Sequence, residues 1–181
     1  MSDPATVGGR ERLRLFCGFS LPDETLGRIE RWQADHLRGR LVGRANVHIT
    51  LAFLGSRPAG DVAEVASALG SISAFEPILF RARSYRETRS VGMLVLDDVG
   101  GNGTVAAEQL HELLDLLGIY EPEKRRWLPH VTVLRFREQP RLEPPVPDLG
   151  TFSPSGAAVY HSVLRPTGAQ YEVLETFALG G

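Results

Sequence analysis

Two triplets in the chain place a threonine two residues after a histidine: His48-Ile49-Thr50 and His130-Val131-Thr132. An unperturbed imidazole titrates near about 6.5, so it can take or give a proton close to neutral pH. A neighbouring hydroxyl can donate a hydrogen bond to an anionic oxygen. Two such pairs suit metal-free phosphoryl chemistry. One neutral histidine takes a proton from the attacking oxygen while the other, protonated, gives one to the leaving oxygen. Thr50 and Thr132 are candidates to hold the non-bridging phosphate oxygens. Other chemistries fit less well. Structural zinc takes four ligands, and threonine is not a usual one. A serine-type triad needs a carboxylate to orient its histidine, and neither triplet carries such a motif. No metal or other cofactor is expected.

Hydrophobic patterning says where the triplets sit. Residues 46–54 (NVHITLAFL) and 130–136 (HVTVLRF) are apolar, β-branched runs that read as strands. On a strand, residues two apart share a face, so each histidine points the same way as its threonine. Each run follows a predicted helix, and the histidines lie 82 residues apart, close to half the 181-residue chain. This is a weak internal repeat. If an approximate two-fold relates the halves, the four side chains converge on one cleft.

The remaining elements follow from the same periodicities. Leu13, Leu15, Cys17 and Phe19 alternate as a strand. Ser20-Leu-Pro-Asp23 has capping-box spacing and predicts a helix carrying Leu26, Ile29 and Leu37, ending near Gly39. Ser56 and Pro58 open a second helix, with Val62, Val65, Ala66 and Leu69 on one face. Residues 78–85 and 92–97 read as strands, and 100–103 as a turn. A third helix carries Leu110, Leu113, Leu114 and Leu117, stopped by Gly118. Residues 138–155 contain five prolines and cross the surface, and 157–165 with 170–178 form a hairpin. The fold class is α+β with mainly antiparallel sheets.

Composition limits the alternatives. At 19.9 kDa, with 43% apolar and 23% charged residues, the chain is an ordinary globular domain. Its single cysteine, Cys17, excludes an internal disulfide framework and reads as a small buried residue. No apolar run approaches a membrane span. Residues 15–21 (LFCGFSL) close with Pro-Asp-Glu and read as a strand, not a signal peptide. A cytoplasmic monomer without an obligate protein partner is expected. Net charge is only −2, but it is unevenly spread. Residues 38–57 carry +4 and 124–137 carry +5, leaving −11 for the rest, and each basic segment holds one triplet. Charge focused this way suits a phosphate ligand.

Tandem His-x-Thr on strands resembles the two-histidine phosphoesterases, and within them the bacterial RNA 2′,3′-cyclic phosphodiesterases, also called 2′-5′ RNA ligases. The resemblance runs from Arg12 to Leu179. It includes Leu-Pro-Asp-Glu (21–24), NVHITLAFLG (46–55), LPHVTVLR (128–135), and the closing hairpin with Ser162, Leu164, Pro166, Gly168, Ala169 and Tyr171. It implies one two-lobed domain over 12–179, with antiparallel sheets and flanking helices about a central cleft, behind a flexible start at 1–11. It implies hydrolysis of RNA 2′,3′-cyclic phosphate ends to 2′-phosphates, with 2′-5′ joining as the reverse reaction. His48 would be the general acid at O3′ and His130 the general base that activates water. Arg135 would grip the phosphate and Phe53 would stack on the terminal base. The partners implied are RNA ends or nucleotides bearing the cyclic phosphate. Pattern reading conflicts with this at one point. Phe53 and Arg135 each lie five residues after their histidine, which puts them on the opposite face of a regular strand. Their roles require a bulge or a strand end. Otherwise Phe53 reads as core and Arg135 as solvated surface. Three readings remain beside the implied one: another cyclic nucleotide or a 2′-5′ linkage as substrate, a nucleotide-binding module without turnover, or two structural triplets.

Overall fold

In the computed structural model the first apolar run resolves into the two faces of β1 (Arg12–Ser20). Cys17 and Phe19 join the main core, whereas Phe16 belongs to a separate small cluster with Ala158 and Tyr160. The structure describes residues 11–72 and 77–179. The flexible start expected at 1–11 lies, except for Glu11, outside the described residues.

After β1 come α1 (Asp23–His36), β2 (Arg40–Leu41), β3 (Ile49–Pro58), α2 (Val62–Gly70), β4 (Leu79–Glu87) and β5 (Val91–Val99). Then follow α3 (Asn102–Leu116), β6 (His130–Arg135), β7 (Thr151–Phe152), β8 (Gly156–Arg165) and β9 (Gly168–Phe177). The α+β class holds, and the strands pair antiparallel throughout.

The nine strands form one sheet in the order β7-β4-β5-β6-β3-β1-β8-β9, with β2 also on β6. It divides naturally at β6 and β3, which share a single pair, Ile49 with Val131. Beyond that pair the edge of β6 is taken by β2, through Leu41 with Leu134 and Arg40 with Arg135. The two halves are built alike. β1-α1-β3 and β5-α3-β6 are each a strand, a helix and a motif strand, and the motif strands meet at the seam. Ile29 and Trp32 of α1, Val65 and Leu69 of α2, and Leu110 and Leu114 of α3 pack on the buried face, where Leu51, Leu94, Val131 and Val133 meet them. The helices therefore cover one face, and the opposite face is left for the cleft.

Several local expectations change. The capping box does not form. Pro22 is the N-cap of α1 without a side-chain cap bond, and Ser20 Oγ donates instead to the Gly156 carbonyl at 3.3 Å. The motif strand begins at Ile49, because Arg44–Asn46 forms a 3-10 turn, and it runs on to Pro58. Ser56 is thus a strand residue, and Pro58 ends the strand as the N-cap of the 3-10 turn Ala59–Asp61 that leads into α2. In α3 the buried face is Ala106, Ala107, Leu110 and Leu114, and Leu117 is exposed. Gly118, with φ 68°, takes the left-handed conformation that stops the helix. The proline-rich segment contains β7, which pairs with β4. Cys17 is fully buried, and burial pushes its thiol up to about 12, so it is inert. No helix among the described residues is long and apolar enough to cross a membrane.

Candidate active site

The seam pair decides the geometry. Ile49 opposes Val131, so the antiparallel register sets His48 against Thr132 and Thr50 against His130. Residues directly opposite share a face. All four motif side chains therefore stand on the face away from the helices.

The two histidines are oriented by the same device. His48 Nδ1 donates to the Asn46 carbonyl at 2.8 Å, and His130 Nδ1 donates to the Leu128 carbonyl at 2.8 Å. In each case the acceptor lies two residues upstream. This bond fixes the tautomer and leaves Nε2 free to face the cleft. The 3-10 turn at Arg44–Asn46 brings the first acceptor into place. His48 Nε2 accepts a hydrogen bond from Thr50 Oγ1 at 2.8 Å.

His48 is half-buried in an aromatic nest. Its ring centroid lies 4.7 Å from Phe16 and 5.3 Å from the edge-on Tyr171. Burial lowers its pKa to about 4, helped by the nearby charges of His130 and Arg135, while the Asn46 carbonyl opposes the shift. Without ligand His48 is neutral at pH 7. Gly18 forms the floor beneath it. A Cβ there would sit 2.9 Å from the Ile49 carbonyl oxygen and 3.2 Å from His48 Cδ2. Gly18→Ala is expected to push the imidazole out of place and lower turnover about tenfold, since a misplacement of 1 Å can cost about 10²-fold. Steady-state kinetics beside a melting curve checks it.

The face conflict at Phe53 and Arg135 is resolved by bulges. In β3, Cys17 opposes Ala52 and Gly18 opposes Thr50, so Leu51 is an extra residue. In β6, Gly92 opposes Leu134 and Met93 opposes Thr132, so Val133 is extra. Each bulge falls three residues after its histidine. Leu51 and Ala52 are both buried, as are Val133 and Leu134, and the fifth residue emerges on the cleft side. Phe53 is 49% exposed, which excludes core packing, and the Arg14 guanidinium lies 5.0 Å over its ring. Arg135 Nη2 donates to Tyr171 Oη at 3.4 Å.

These side chains border a cleft of about 630 Å³, lined by His48, Thr50, Phe53, Thr132 and Arg135 with Arg14, Arg40 and Tyr171, and by no acidic residue. His130 lines the adjoining cavity of about 580 Å³, and Thr50 and Phe53 border both. The two histidines thus approach from opposite sides of a Thr50–Phe53 boundary. Among the described residues no cluster of three or more His, Cys, Asp or Glu side chains could hold a metal.

Comparison with known proteins places the fold. The family model described as "LigT like Phosphoesterase" matches residues 19–90. The chain is 29% identical to an RNA 2′,3′-cyclic phosphodiesterase of Aquifex aeolicus, over 93% of this chain and 98% of that one. Escherichia coli LigT, solved with 3′-AMP, superposes with a TM-score of 0.81 at 24% identity, covering 94% and 100% of the two chains. TT0787 of Thermus thermophilus superposes with a TM-score of 0.77 at 30% identity, covering 92% and 98%.

The chain has the LigT fold, and residues 19–90 match the LigT-like phosphoesterase family.

In this LigT-like chain, sequence reasoning missed three cleft residues. Phe16 lies on the face of β1 opposite Leu15 and Cys17, and no motif marks it. Arg14 stood in a strand with no motif around it. Tyr171 was seen only as part of the hairpin, although it touches both His48 and Arg135. The basic segments are also less focused than their counts suggested. Arg44 pairs with Asp23 and Glu30, and Arg57 with Asp61, whereas Arg40 and Arg135 face the cleft.

Proposed function

We propose that this phosphoesterase opens RNA 2′,3′-cyclic phosphate ends to 2′-phosphate ends, with His48 as general acid, His130 as general base and no metal ion. The observation that carries the reading is the mirrored pair of motifs. Each Nε2 is free of its own backbone, and the two histidines approach from opposite cavities, as an in-line displacement needs. Water enters on the His130 side and loses a proton to His130 as its oxygen bonds to phosphorus. The P–O3′ bond breaks, and His48 delivers its proton to O3′. Thr50 and Thr132 hold the non-bridging oxygens, Arg135 offsets their charge and Phe53 stacks on the terminal base. A second nucleotide hydroxyl in place of water would give a 2′-5′ link. Residues 12–179 act together as one two-lobed unit, because each lobe supplies one histidine.

The neutral state of His48 couples protonation to binding. Burial and the Arg135 charge hold His48 down; a phosphate anion offsets that charge and stabilises the imidazolium directly. His48 then takes up its proton with the phosphate. Its Nε2 becomes a donor, and the Thr50 hydrogen, no longer held by Nε2, turns to the phosphate.

The test is a panel of ends: RNA 2′,3′-cyclic phosphate, small cyclic nucleotides and 2′-5′ dinucleotides, with the product followed by 31P NMR. Preferred turnover of the RNA end to a 2′-phosphate is expected. Tight 2′-AMP binding with no turnover of any cyclic phosphate would refute it in favour of a binding module. EDTA is expected to leave the rate unchanged, and a strict metal requirement would contradict the mechanism. The pH profile of kcat/KM, which reports the free enzyme, should be bell-shaped with one limb near 4, where His48 titrates. The matching limb of kcat should move to higher pH, because bound phosphate raises the His48 pKa. An unmoved limb would show that His48 does not face the phosphate.

A further inference from the structure

A bulged residue falls out of the strand ladder, so its carbonyl needs a partner from elsewhere. In both motif strands that partner includes a helix side chain. His111 of α3 donates from Nε2 to the Leu51 carbonyl at 2.7 Å. Gln33 of α1, itself buried, donates from Nε2 to the Val133 carbonyl at 2.8 Å and to the Val42 carbonyl at 3.0 Å. The pinning is crossed. The first-half helix holds the second-half bulge, and the second-half helix holds the first. Val133 O also accepts from Val42 N at 3.0 Å, so its bulge has backbone support as well. Among the described residues the Leu51 carbonyl has only His111 as a side-chain donor, although Trp127 Nε1 holds the neighbouring Thr50 carbonyl at 3.0 Å. The His111 ring is itself set against Tyr120, 5.0 Å between centroids.

We propose that His111 is a positioning residue that locks the Leu51 bulge and so aims Phe53 into the cleft. Without the bulge, Phe53 would return to the buried face by strand parity. His111 contacts neither Phe53 nor the motif histidines by hydrogen bond, and it acts through the β3 backbone. The proposal rests on the reading of Phe53 as the base-stacking residue. It predicts a defect confined to recognition of the base, with the phosphate grip intact.

The experiment measures dissociation constants for 2′-AMP and for inorganic phosphate by calorimetry, in the full chain, for wild type, H111F, H111Q, F53A and the double variant H111F/F53A. H111F keeps a ring against Tyr120 but removes the donor. It is expected to weaken 2′-AMP about five- to tenfold, the scale of one stacking contact, and to leave phosphate within about twofold. H111Q restores an N–H donor of the kind Gln33 supplies to the other bulge, and should bind 2′-AMP like wild type. In the F53A background H111F should cost nothing further. Equal weakening of both ligands, failure of H111Q to recover, or additive losses in the double variant would each overturn the proposal. If H111F does not fold, H111N, whose shorter amide cannot reach Leu51, takes its place with the same expected loss. If wild type itself shows no preference for 2′-AMP over phosphate, the base-stacking reading fails and this proposal fails with it. A preserved preference in wild type with no selective loss in H111F overturns this proposal alone.

Discussion

His48→Ala and His130→Ala are each expected to lower turnover of a 2′,3′-cyclic phosphate RNA end by about 10²–10⁴-fold, the usual contribution of a positioned general acid or base. Both rings are half-buried at the cleft, outside the main core, so the variants should fold. A melting curve separates lost chemistry from lost structure. The double variant should fall little below the worse single one, because a displacement that has lost either proton transfer no longer benefits from the other. His130→Ala should also raise the His48 pKa, since the His130 charge helps to hold it down. Imidazole proton shifts followed against pH would show it. Full activity in either alanine variant would remove the two-histidine mechanism.

Arg135→Ala should lower kcat/KM by about 10²–10³-fold, as expected when a preorganised donor to a developing anionic oxygen is removed. Arg135 stands on the cleft side of the second bulge and is steadied by Tyr171. Arg135→Lys should recover only part of the loss, because an ammonium lacks the planar fork that meets two phosphate oxygens together. Kinetics on a cyclic mononucleotide is the cleanest readout, because Phe53, proposed to stack on the base, is unchanged. A wild-type rate in Arg135→Ala would place the phosphate elsewhere in the cleft, with Arg14 and Arg40 as the remaining cations there.

Much of the fold was legible because its signals are local. Alternation marked β1, the spacing of Val65, Ala66 and Leu69 marked α2, and the Pro-Thr-Gly-Ala connection between apolar runs marked the closing hairpin, which the structure tightens to a two-residue turn. Two of the failures share a cause: the N-terminus of α1 and the short β7 are set by partners distant in sequence, Gly156 and β4. Propensity cannot see such partners.

For the candidate site, the sequence alone determined the chemical groups. Two histidines, each with a threonine on its own face, and basic segments around them are facts of residue type and period-two spacing. Tertiary structure decided which groups meet. The single Ile49–Val131 pair brings the two motifs together across the seam, and only long-range strand pairing can create it. The carbonyls that orient the imidazoles belong to the backbone, which has no sequence signature. The bulges at Leu51 and Val133 reverse the parity that spacing had assigned to Phe53 and Arg135, because one extra residue turns every later side chain to the other face.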